Sequence, residues 1–298
     1  MKIVAYIQDP KISLAGALIR FGGFITDKLY LKWLYRLKMG HKLNLNNPLT
    51  FTEKLQWLKL YDRNPEYTQL VDKAAVKHIV GEKIGFEHII PTIGEWNSAE
   101  EIEWDKLPDQ FVLKTTHGGG GGGVVICTNK NSFDIKQANE KLRNSLKSCI
   151  YRNMREWPYK NIPRKIIAED YIKSDSISSD LKDYKIFCFN GDPKFLKVDF
   201  GRFTDHHANY YDLDWNLLNY GEQGLEPDLS HIEVMPKNFD LMLKMAKKLS
   251  QGFPFLRVDL YNIDGDIYFG ELTLYPASGL LPWTDKTTDY KIGEMLKI

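Results

Sequence analysis

The chain has 298 residues, 43% of them hydrophobic, which is enough for two or three packed subdomains. Its 40 basic and 39 acidic residues give a net charge of +1, so the overall charge does not favour a nucleic-acid partner. The three cysteines, Cys127, Cys149 and Cys188, lie far apart without metal-ligand spacing. We therefore expect reduced thiols and a cytoplasmic location.

The N-terminal part, residues 1–48, is predicted to be helical. Between Phe24 and Lys42, apolar residues such as Leu29 and Trp33 are mixed with lysine and arginine. A basic amphipathic helix of this kind can lie on the anionic inner face of a membrane. It more often packs its apolar side on its own domain, and the sequence leaves both interpretations open.

Residues 49–108 are predicted to hold three helices: one capped by Thr50 and Glu53, one from Asp72 to Gly85, and a short one capped by Ser98 and Glu101. The second helix leaves Lys73 near its positive end. A cation at this end of a helix is unfavourable unless an anion lies opposite, so the sequence suggests an anion near Lys73. The alternative is that Lys73 is simply solvated.

The segment from Phe111 to Val125 contains a strand pattern, six successive glycines and a second strand pattern, and a helix is predicted from Asp134 to Cys149. Successive glycine N–H groups can curl around phosphate oxygens, with Lys114 as a nearby charge. No helix directly follows the glycines and no Lys-Ser/Thr pair ends them, which sets aside the two familiar phosphate loops. The prediction is a hairpin that covers a nucleotide; the alternative is a flexible linker.

Residues 109–172 and 173–298 are predicted to form two further subdomains. The predicted elements are a buried strand at Lys165–Ile172, a hairpin of Asp183–Phe189 and Phe195–Phe200 turned at Asn190 and Gly191, a polar loop at Arg202–Tyr211, and a helix at Pro236–Leu249. The Asn-Gly pair is the strongest turn signal among them.

Two more strands are predicted within Phe255–Tyr275, joined around Asp264 and Gly265. Because side chains alternate between faces, the loop length decides which residues share a face. A three-residue loop gathers five aliphatic residues, and burying each is worth roughly 1.5–3 kcal/mol, more than a turn preference. We therefore predict that loop, with Gly265 left-handed and a bulge beside it. The opposite face then carries Arg257, Asp259, Glu271 and Thr273.

In this register two carboxylates, Asp259 and Glu271, lie close together, which is unfavourable unless a cation sits between them. Oxygen ligands without Cys or His suit Mg²⁺ or Mn²⁺, whose coordination is usually completed by substrate phosphates. The alternative is a pair that is solvated or bridged by Arg257.

The order of these motifs resembles the ATP-grasp superfamily, and four stretches are most similar to its teichuronopeptide-biosynthesis (TupA-like) branch. These stretches are 47–62 (NPLTFTEKLQWLKLYD), 111–118 (FVLKTTHG), 183–191 (DYKIFCFNG) and 270–279 (GELTLYPASG). The resemblance extends from about residue 43 to the C-terminus. It implies an α+β ATP-grasp fold, in which two subdomains hold ATP between antiparallel sheets, preceded by a helical N-terminal region.

The resemblance also implies an ADP-forming ligase, in which ATP converts a carboxylate to an acyl phosphate that an amine then attacks. Within the branch, the implied reaction joins an amino acid, or an oligomer of one, to the carboxyl of a sugar acid in a surface polysaccharide. The implied cofactors are ATP and Mg²⁺ or Mn²⁺. The implied partners are a small-molecule amine and a sugar-acid acceptor.

Residue roles are carried over by position from the same resemblance. The catalytic residues are Arg257 and Lys114, and the ATP-binding residues are Lys73, Lys114, His117, Gly118, Gly119, Gly120, Gly121, Gly122, Gly123, Glu169, Tyr171, Ile172 and Asp183. The metal ligands are Asp259, Glu271 and Thr273, and the substrate-binding residues Ser278 and Gly279 belong to a segment, 276–279, that would offer backbone N–H groups to the acyl phosphate. Independently of the resemblance, Arg202, His206 and His207 in the polar loop are candidates for binding an acidic sugar substrate, and the alternative for each is a solvated loop residue. Two features depart from the pattern: Thr273 stands where many relatives have Asn, and residues 1–48 have too few strands for the usual preceding Rossmann-like domain.

Two other classes of protein stay open. Asp199-Phe200-Gly201 spells the magnesium tripeptide of kinases, but Lys114 precedes the glycines and a His-Arg-Asp motif is missing. This disfavours a protein kinase more than a small-molecule kinase on the same scaffold. The third class is a non-catalytic nucleotide-binding module, against which the presence of both Asp259 and Glu271 argues.

Overall fold

The computed structural model describes residues 10–119, 121–173, 181–201 and 206–298. They form the predicted α+β fold, with two antiparallel sheets and helices at the N-terminal side. The helices are α1 (Pro10–Phe21), α2 (Asp27–Met39), α3 (Phe51–Tyr61), α4 (Tyr67–Val71), α5 (Ala75–Ile84), α6 (Ile135–Lys147), α7 (Ile150–Met154), α8 (Phe239–Ser250) and α9 (Lys286–Met295). The strands are β1 (Thr92–Trp96), β2 (Phe111–Thr115), β3 (Val124–Cys127), β4 (Ile166–Asp170), β5 (Asp183–Phe189), β6 (Asp192–Phe200), β7 (His207–Tyr211), β8 (Leu217–Leu218), β9 (Phe255–Ile263) and β10 (Asp266–Thr273).

The four-stranded sheet has the order β1-β4-β2-β3 and contains the predicted glycine hairpin. β2 and β3 pair antiparallel, and the Thr115 N–H donates to Gly123 O at 3.0 Å. Phe111 and every second residue after it on β2 are buried on the side of α6, so Lys114 lies on the other face. Gly120, in the predicted loop, lies outside the described residues.

The six-stranded sheet has the order β10-β9-β5-β6-β7-β8 and has two chemically different faces. Apolar residues at alternating positions, including Ile186 and Val258, are buried with Met242 of α8. The same alternation puts charged side chains on the opposite face. Asn190 and Gly191 have φ values of 51° and 84°, which confirms the predicted Asn-Gly turn between β5 and β6.

The predicted three-residue loop between β9 and β10 is wrong. Asp264 and Gly265 alone join the strands, with φ values of 51° and 108°. The bulge lies at Gly270 instead of beside the turn, and beyond it Glu271 pairs with Asp259. The bulge inserts one extra residue, which shifts the register by one, as the longer loop would have done. Asp259 and Glu271 therefore share a face as predicted, although the predicted loop is not formed.

Three other predictions differ from the structure. The predicted third helix is a pair of 3-10 turns, Ala99–Glu101 and Trp104–Lys106, and Ser98 makes no capping bond. α5 starts three residues after its predicted cap, Asp72, whose carboxylate accepts two backbone N–H groups ahead of the helix. The predicted polar loop contains β7, and β1 was not predicted, because their pairing with β6 and β4 is not visible in the local sequence.

The N-terminal helices α1 and α2 pack against each other, and α2 buries one side in the protein while Leu29 and Trp33 stay 41% and 48% exposed. Tyr30 and Leu34 of α2 are fully buried, as expected for a helix that packs on its own domain. The predicted capping box of Thr50 and Glu53 opens α3, so that prediction is confirmed. In the part of the chain that the structure describes, no helix is both long and apolar enough to cross a bilayer.

Candidate active site

The beginning of α5 lies between the two sheets and contacts a carboxylate from each. The Lys73 N–H donates to Thr116 O, just after β2, at 3.0 Å, and Lys73 Nζ donates to Glu271 Oε2 on β10 at 3.3 Å. One helical turn later, Lys77 Nζ lies 2.6 Å from Glu169 Oε1 on β4. Lys73 therefore has the opposing anion that its position near a helix start requires.

Glu169 is enclosed by two lysines. Lys114 Nζ lies 2.5 Å from Glu169 Oε2, Lys77 holds the other oxygen, and Glu169 is only 4% exposed. Burial raises the pKa of the Glu169 carboxyl, but the charges of Lys114 and Lys77 outweigh it and hold the pKa below its ordinary value. Two cations around one carboxylate leave a surplus positive charge, which suits an additional anion such as a phosphate.

On the polar face of the six-stranded sheet, Arg257 bridges the two carboxylates. Its Nε and Nη2 donate to the two oxygens of Asp259 at 2.7 and 2.6 Å. Nη2 also donates to Glu271 Oε1 at 3.2 Å and to Thr273 Oγ1 at 3.0 Å. The predicted common face is confirmed, and the Arg257 bridge that the sequence left as an alternative is formed.

Asp259 and Glu271 (the acidic pair) have different surroundings. Asp259 is 1% exposed, and burial raises the pKa of its carboxyl although Arg257 opposes this. The side chain of Glu271 is 43% exposed. Burial also raises the pKa of Glu271, but the charges of Lys73, Arg257 and Lys185 together lower it to about 2. Glu271 is thus the more open and the more readily ionised carboxylate of the two.

The acidic pair fits a divalent cation that takes oxygen ligands. Asp259 and Glu271 face each other across the β9–β10 ladder, and the Thr273 hydroxyl lies 3.3 Å from Glu271 Oε1. Among the described residues, no group of three or more His, Cys, Asp and Glu could hold a metal ion by itself. A cation here would therefore need further oxygens from substrate and water, which is how Mg²⁺ is usually bound.

A second set of charges lies on the same face, along β5 and β6, and sequence reasoning missed its central member, Lys185. Lys185 Nζ lies 2.5 Å from Asp183 Oδ2 and 2.6 Å from Asp199 Oδ2. His206 Nε2 lies 2.9 Å from Asp199 Oδ1. The structure thus brings Asp183 and His206 to the polar face, while Arg202 lies outside the described residues.

Two predicted residues, His117 and His207, lie away from the contact between the sheets. His117 is buried on the α6 side of the first sheet, where its Nε2 lies 3.2 Å from Ser145 O. Tyr171 and Ile172 follow β4 as half-buried residues without regular structure. His207 is on β7 and shares a face with its partner Phe200, opposite to the face that carries Asp199.

The glycine hairpin forms a cleft with α6. The Gly118 N–H donates to Thr115 O at 3.2 Å, and the Val124 N–H donates to Gly121 O at 3.2 Å. Gly118, Gly119, Gly122 and Gly123 line this cleft, which has a volume of about 600 Å³. Lys114 lies on the other face of the sheet, so the nucleotide-covering role of the loop stays a prediction.

The turn after β10 contains three successive residues in the left-handed region. The φ values are 46° for Ala277, 58° for Ser278 and 60° for Gly279. Such a conformation is strained for residues with a Cβ and must be held by its surroundings. Lys59, fully buried, donates from Nζ to Ser278 O at 2.6 Å, and Gln56 Nε2 donates to Gly279 O at 2.8 Å.

Ser278 has its own partners in this turn. Its N–H donates to Tyr275 O at 2.8 Å, so this N–H is already used within the turn, whereas the resemblance implied that it binds the acyl phosphate. Its hydroxyl donates to the buried carboxylate of Glu156. Burial lowers the pKa of Lys59 to about 8 and raises the pKa of Glu156. Sequence reasoning missed both Lys59 and Glu156, because their contacts join distant segments.

Two α+β units, each built on an antiparallel sheet, with lysines and carboxylates where they meet, define an ATP-grasp fold. The sequence model of the TupA-like ATPgrasp family matches residues 53–297, and the chain belongs to this family. The resemblance drawn from the four sequence stretches is thereby confirmed.

Similar solved structures are distant. D-alanine–D-alanine ligase from Bacillus anthracis, solved with ATP, is 16% identical with a TM-score of 0.40, over 69% of this chain and 54% of that one. D-alanyl-alanine synthetase A from Vibrio cholerae is 13% identical with a TM-score of 0.44, over 91% and 69%. ATP-grasp ligase PsnB, solved with its minimal precursor, Mg and ADP, is 9% identical with a TM-score of 0.38, over 89% and 66%. The chain thus spans 54% to 69% of the length of these proteins. No curated protein matches the chain.

Proposed function

We propose that the protein is an ATP-dependent carboxylate–amine ligase that forms an amide through an acyl phosphate. The observation that supports this most strongly is the contact between two groups of side chains. The lysine cluster (Lys73, Lys77 and Lys114) meets the acidic pair (Asp259 and Glu271), and Lys73 touches Glu271 directly. A triphosphate needs cations for its oxygens and carboxylates for the divalent ion that accompanies it.

In the proposed reaction, a carboxylate oxygen of the acceptor attacks the γ-phosphorus of ATP, and ADP leaves. The amine nitrogen then attacks the acyl carbon, inorganic phosphate leaves with the electrons of the C–O bond, and the nitrogen releases a proton to solvent. Lys73 and Lys114 would hold phosphate oxygens, and Arg257 would stabilise the charge on the transferring phosphoryl group. The fixed fork of Arg257 suits this electrostatic role.

The acidic pair and Thr273 would hold Mg²⁺ or Mn²⁺, which neutralises charge on the phosphate oxygens when bound. Burial of Asp259 supports this assignment, since a second cation would favour the ionised form that burial disfavours. Thr273 is the weakest of these ligands, because a hydroxyl carries no charge.

The remaining assignments are proposals of the same kind. We propose that Asp183 takes the ribose hydroxyls, and that Glu169, Tyr171 and Ile172 lie at the adenine. The glycine loop would close over the phosphates. The subdomain boundaries at 109–172 and 173–298 are likewise proposed.

We further propose an amino acid or related amine and a sugar acid of a surface polysaccharide as the two partners. Membership of the TupA-like family supports this substrate class. The polar surface formed by Lys185, Asp199 and His206 suits a hydroxyl-rich acidic acceptor, because it offers both donors and acceptors of hydrogen bonds.

The test is ADP release with ATP, Mg²⁺ and panels of amines and sugar acids, followed by mass spectrometry of the products. A ligase releases ADP and forms an amide only when amine and sugar acid are both present. A small-molecule kinase releases ADP without any amine, and a non-catalytic module releases none; either result would overturn the proposal.

A matched pair of variants separates the acidic pair from the rest of the same hairpin. Asp259→Asn is expected to abolish ADP release. Asp264→Asn makes the same chemical change in the exposed β9–β10 turn, where Asn tolerates positive φ, and should leave activity unchanged. Equal activity in both variants would remove Asp259 from the site.

A further inference from the structure

The N-terminal helices carry a charge that the rest of the chain does not share. Residues 10–42 contain seven Lys and Arg residues and one acidic residue, Asp27, so this segment has a net charge of +6. The whole chain has a net charge of only +1. Asp27 itself is held by Arg63 and Arg155. The positive charge is therefore concentrated on one part of the protein.

The bend between α1 and α2 presents two aromatic side chains to solvent. Phe21 is 66% exposed and Phe24 is 89% exposed. The bend itself is fixed, because the buried Arg155 donates from Nη2 to Gly22 O at 2.8 Å. Gly22 also lies so close to the Tyr30 ring that a Cβ there would come within 2.8 Å of it. The two exposed rings thus sit on a rigid bend.

A basic cleft lies beside this bend. It is lined by four exposed cations, Arg20, Lys147, Arg152 and Arg164, and has a volume of about 570 Å³. Its lining includes no carboxylate, and none of the four cations forms an ion pair with a described acidic residue. Arg152 reaches the bend, with its Nε 3.9 Å from the position of a Cβ on Gly23. The cleft and the aromatic bend are therefore parts of one surface.

We propose that this surface, the aromatic bend with its basic cleft, docks on an anionic phospholipid bilayer. Exposed aromatic rings enter the boundary between headgroups and acyl chains, and unpaired cations beside them attract anionic headgroups. The occupant follows from charge complementarity, since the charged residues that line the cleft are all cations and the exposed rings favour an apolar phase. The contact differs from the one predicted along residues 24–42, because it is centred on Phe21, Phe24 and the cleft, which are more exposed than the partly buried α2.

The test is sedimentation of the full chain with vesicles of phosphatidylcholine alone or with about one-third phosphatidylglycerol. We expect binding to the anionic vesicles only. Binding should be lost when salt is raised from about 0.1 M to about 1 M, since the screening length falls from about 10 Å to about 3 Å. Failure to sediment with either vesicle, or equal binding to the neutral one, would overturn the proposal.

Two double variants test the two parts of the surface. Arg152→Gln with Arg164→Gln should weaken binding to anionic vesicles by about 25-fold, roughly fivefold for each charge. Phe21→Ser with Phe24→Ser should weaken it at least tenfold at constant charge. The matched controls are Lys244→Gln with Lys248→Gln on the exposed side of α8, and Val234→Ser, which is an exposed apolar residue far along the chain. Controls that lose as much binding as the test variants would contradict a defined docking surface.

Discussion

Replacing Glu169 with Gln tests whether the lysine cluster is held in place by one buried carboxylate. Glu169→Gln keeps the size of the side chain but leaves Lys77 and Lys114 without a counter-charge. Removing one partner of a buried ion pair destabilises a protein by about 3–5 kcal/mol. Both lysines keep some exposure, 13% for Lys77 and 17% for Lys114, so they can turn partly to water. We therefore expect a loss of about 3 kcal/mol in the free energy of unfolding.

The assay is urea unfolding of the wild type and the variant, where this loss corresponds to a midpoint lower by about 1 M. The matched control is Glu95→Gln on the neighbouring strand β1, whose partner Lys165 lies 2.5 Å away. That pair is exposed and screened by water, so its removal should have a much smaller effect. Equal midpoints for the two variants would refute the account of the buried cluster.

The pH dependence gives an independent check on Glu169. Its pKa is lowered below the ordinary 4.5, so its stabilising effect is complete above pH 4.5 and is lost as pH falls through the folded-state pKa. The difference in stability between wild type and Glu169→Gln should therefore shrink in acid. A difference that grows as pH falls below 4.5 would contradict the assignment.

The remaining predictions concern the polar face and the strained turn. Gly270→Val should lower stability by about 1–3 kcal/mol in thermal unfolding, because a Cβ at this position of the bulge would lie 3.0 Å from Asp259 O. Unchanged stability would mean that the bulge tolerates a side chain. Lys59→Met should lower the free energy of unfolding by about 2–4 kcal/mol, because it leaves Ser278 O and the Glu156 carboxylate without their cation. The control, Lys248→Met on the surface of α8, should have little effect. The ionised Glu271 carboxylate stabilises the wild type, and this effect is lost as pH falls from 4.5 to about 2. Stability of Glu271→Gln should therefore decrease less over that interval than stability of the wild type. An equal decrease in both proteins would contradict the contacts described for Glu271.

Features of the fold that depend on neighbouring residues could be predicted from the sequence. The capping box at Thr50, the Asn190-Gly191 turn and the glycine hairpin are set by local chemistry, and the structure confirms each. The common face of Asp259 and Glu271 was also predicted correctly, because burial of the aliphatic residues on one side of the hairpin decides which side chains share the other face.

The position of the bulge could not be derived from the same argument. Burial requires that one extra residue be inserted between the paired segments of β9 and β10, but it does not say where. The structure uses Gly270, where a Cβ would lie 3.0 Å from a backbone oxygen of the partner strand. A glycine within a strand pattern was the available signal, but the prediction placed the extra residue in the loop at Asp264 and Gly265 instead.

The missed charged residues, apart from Lys185, share one cause. Lys77 contacts Glu169 and Lys59 contacts Ser278, each across a distance in sequence that no local pattern spans. Lys185 contacts Asp199 across the predicted β5–β6 hairpin, so the pairing of that hairpin was the signal that could have found it. Lys77 offered a partial signal, because it follows Lys73 by four residues and so lies on the same side of the helix that the sequence predicts from Asp72.

The central claim is that a triphosphate binds between the lysine cluster and the acidic pair with a divalent ion held by that pair. The most direct measurement is titration calorimetry of ATP binding with and without Mg²⁺, in the wild type and in a variant with Asp259→Asn and Glu271→Gln. We predict that Mg²⁺ strengthens ATP binding to the wild type at least tenfold and no longer does so in the variant. Binding that depends equally on Mg²⁺ in both proteins would contradict the account.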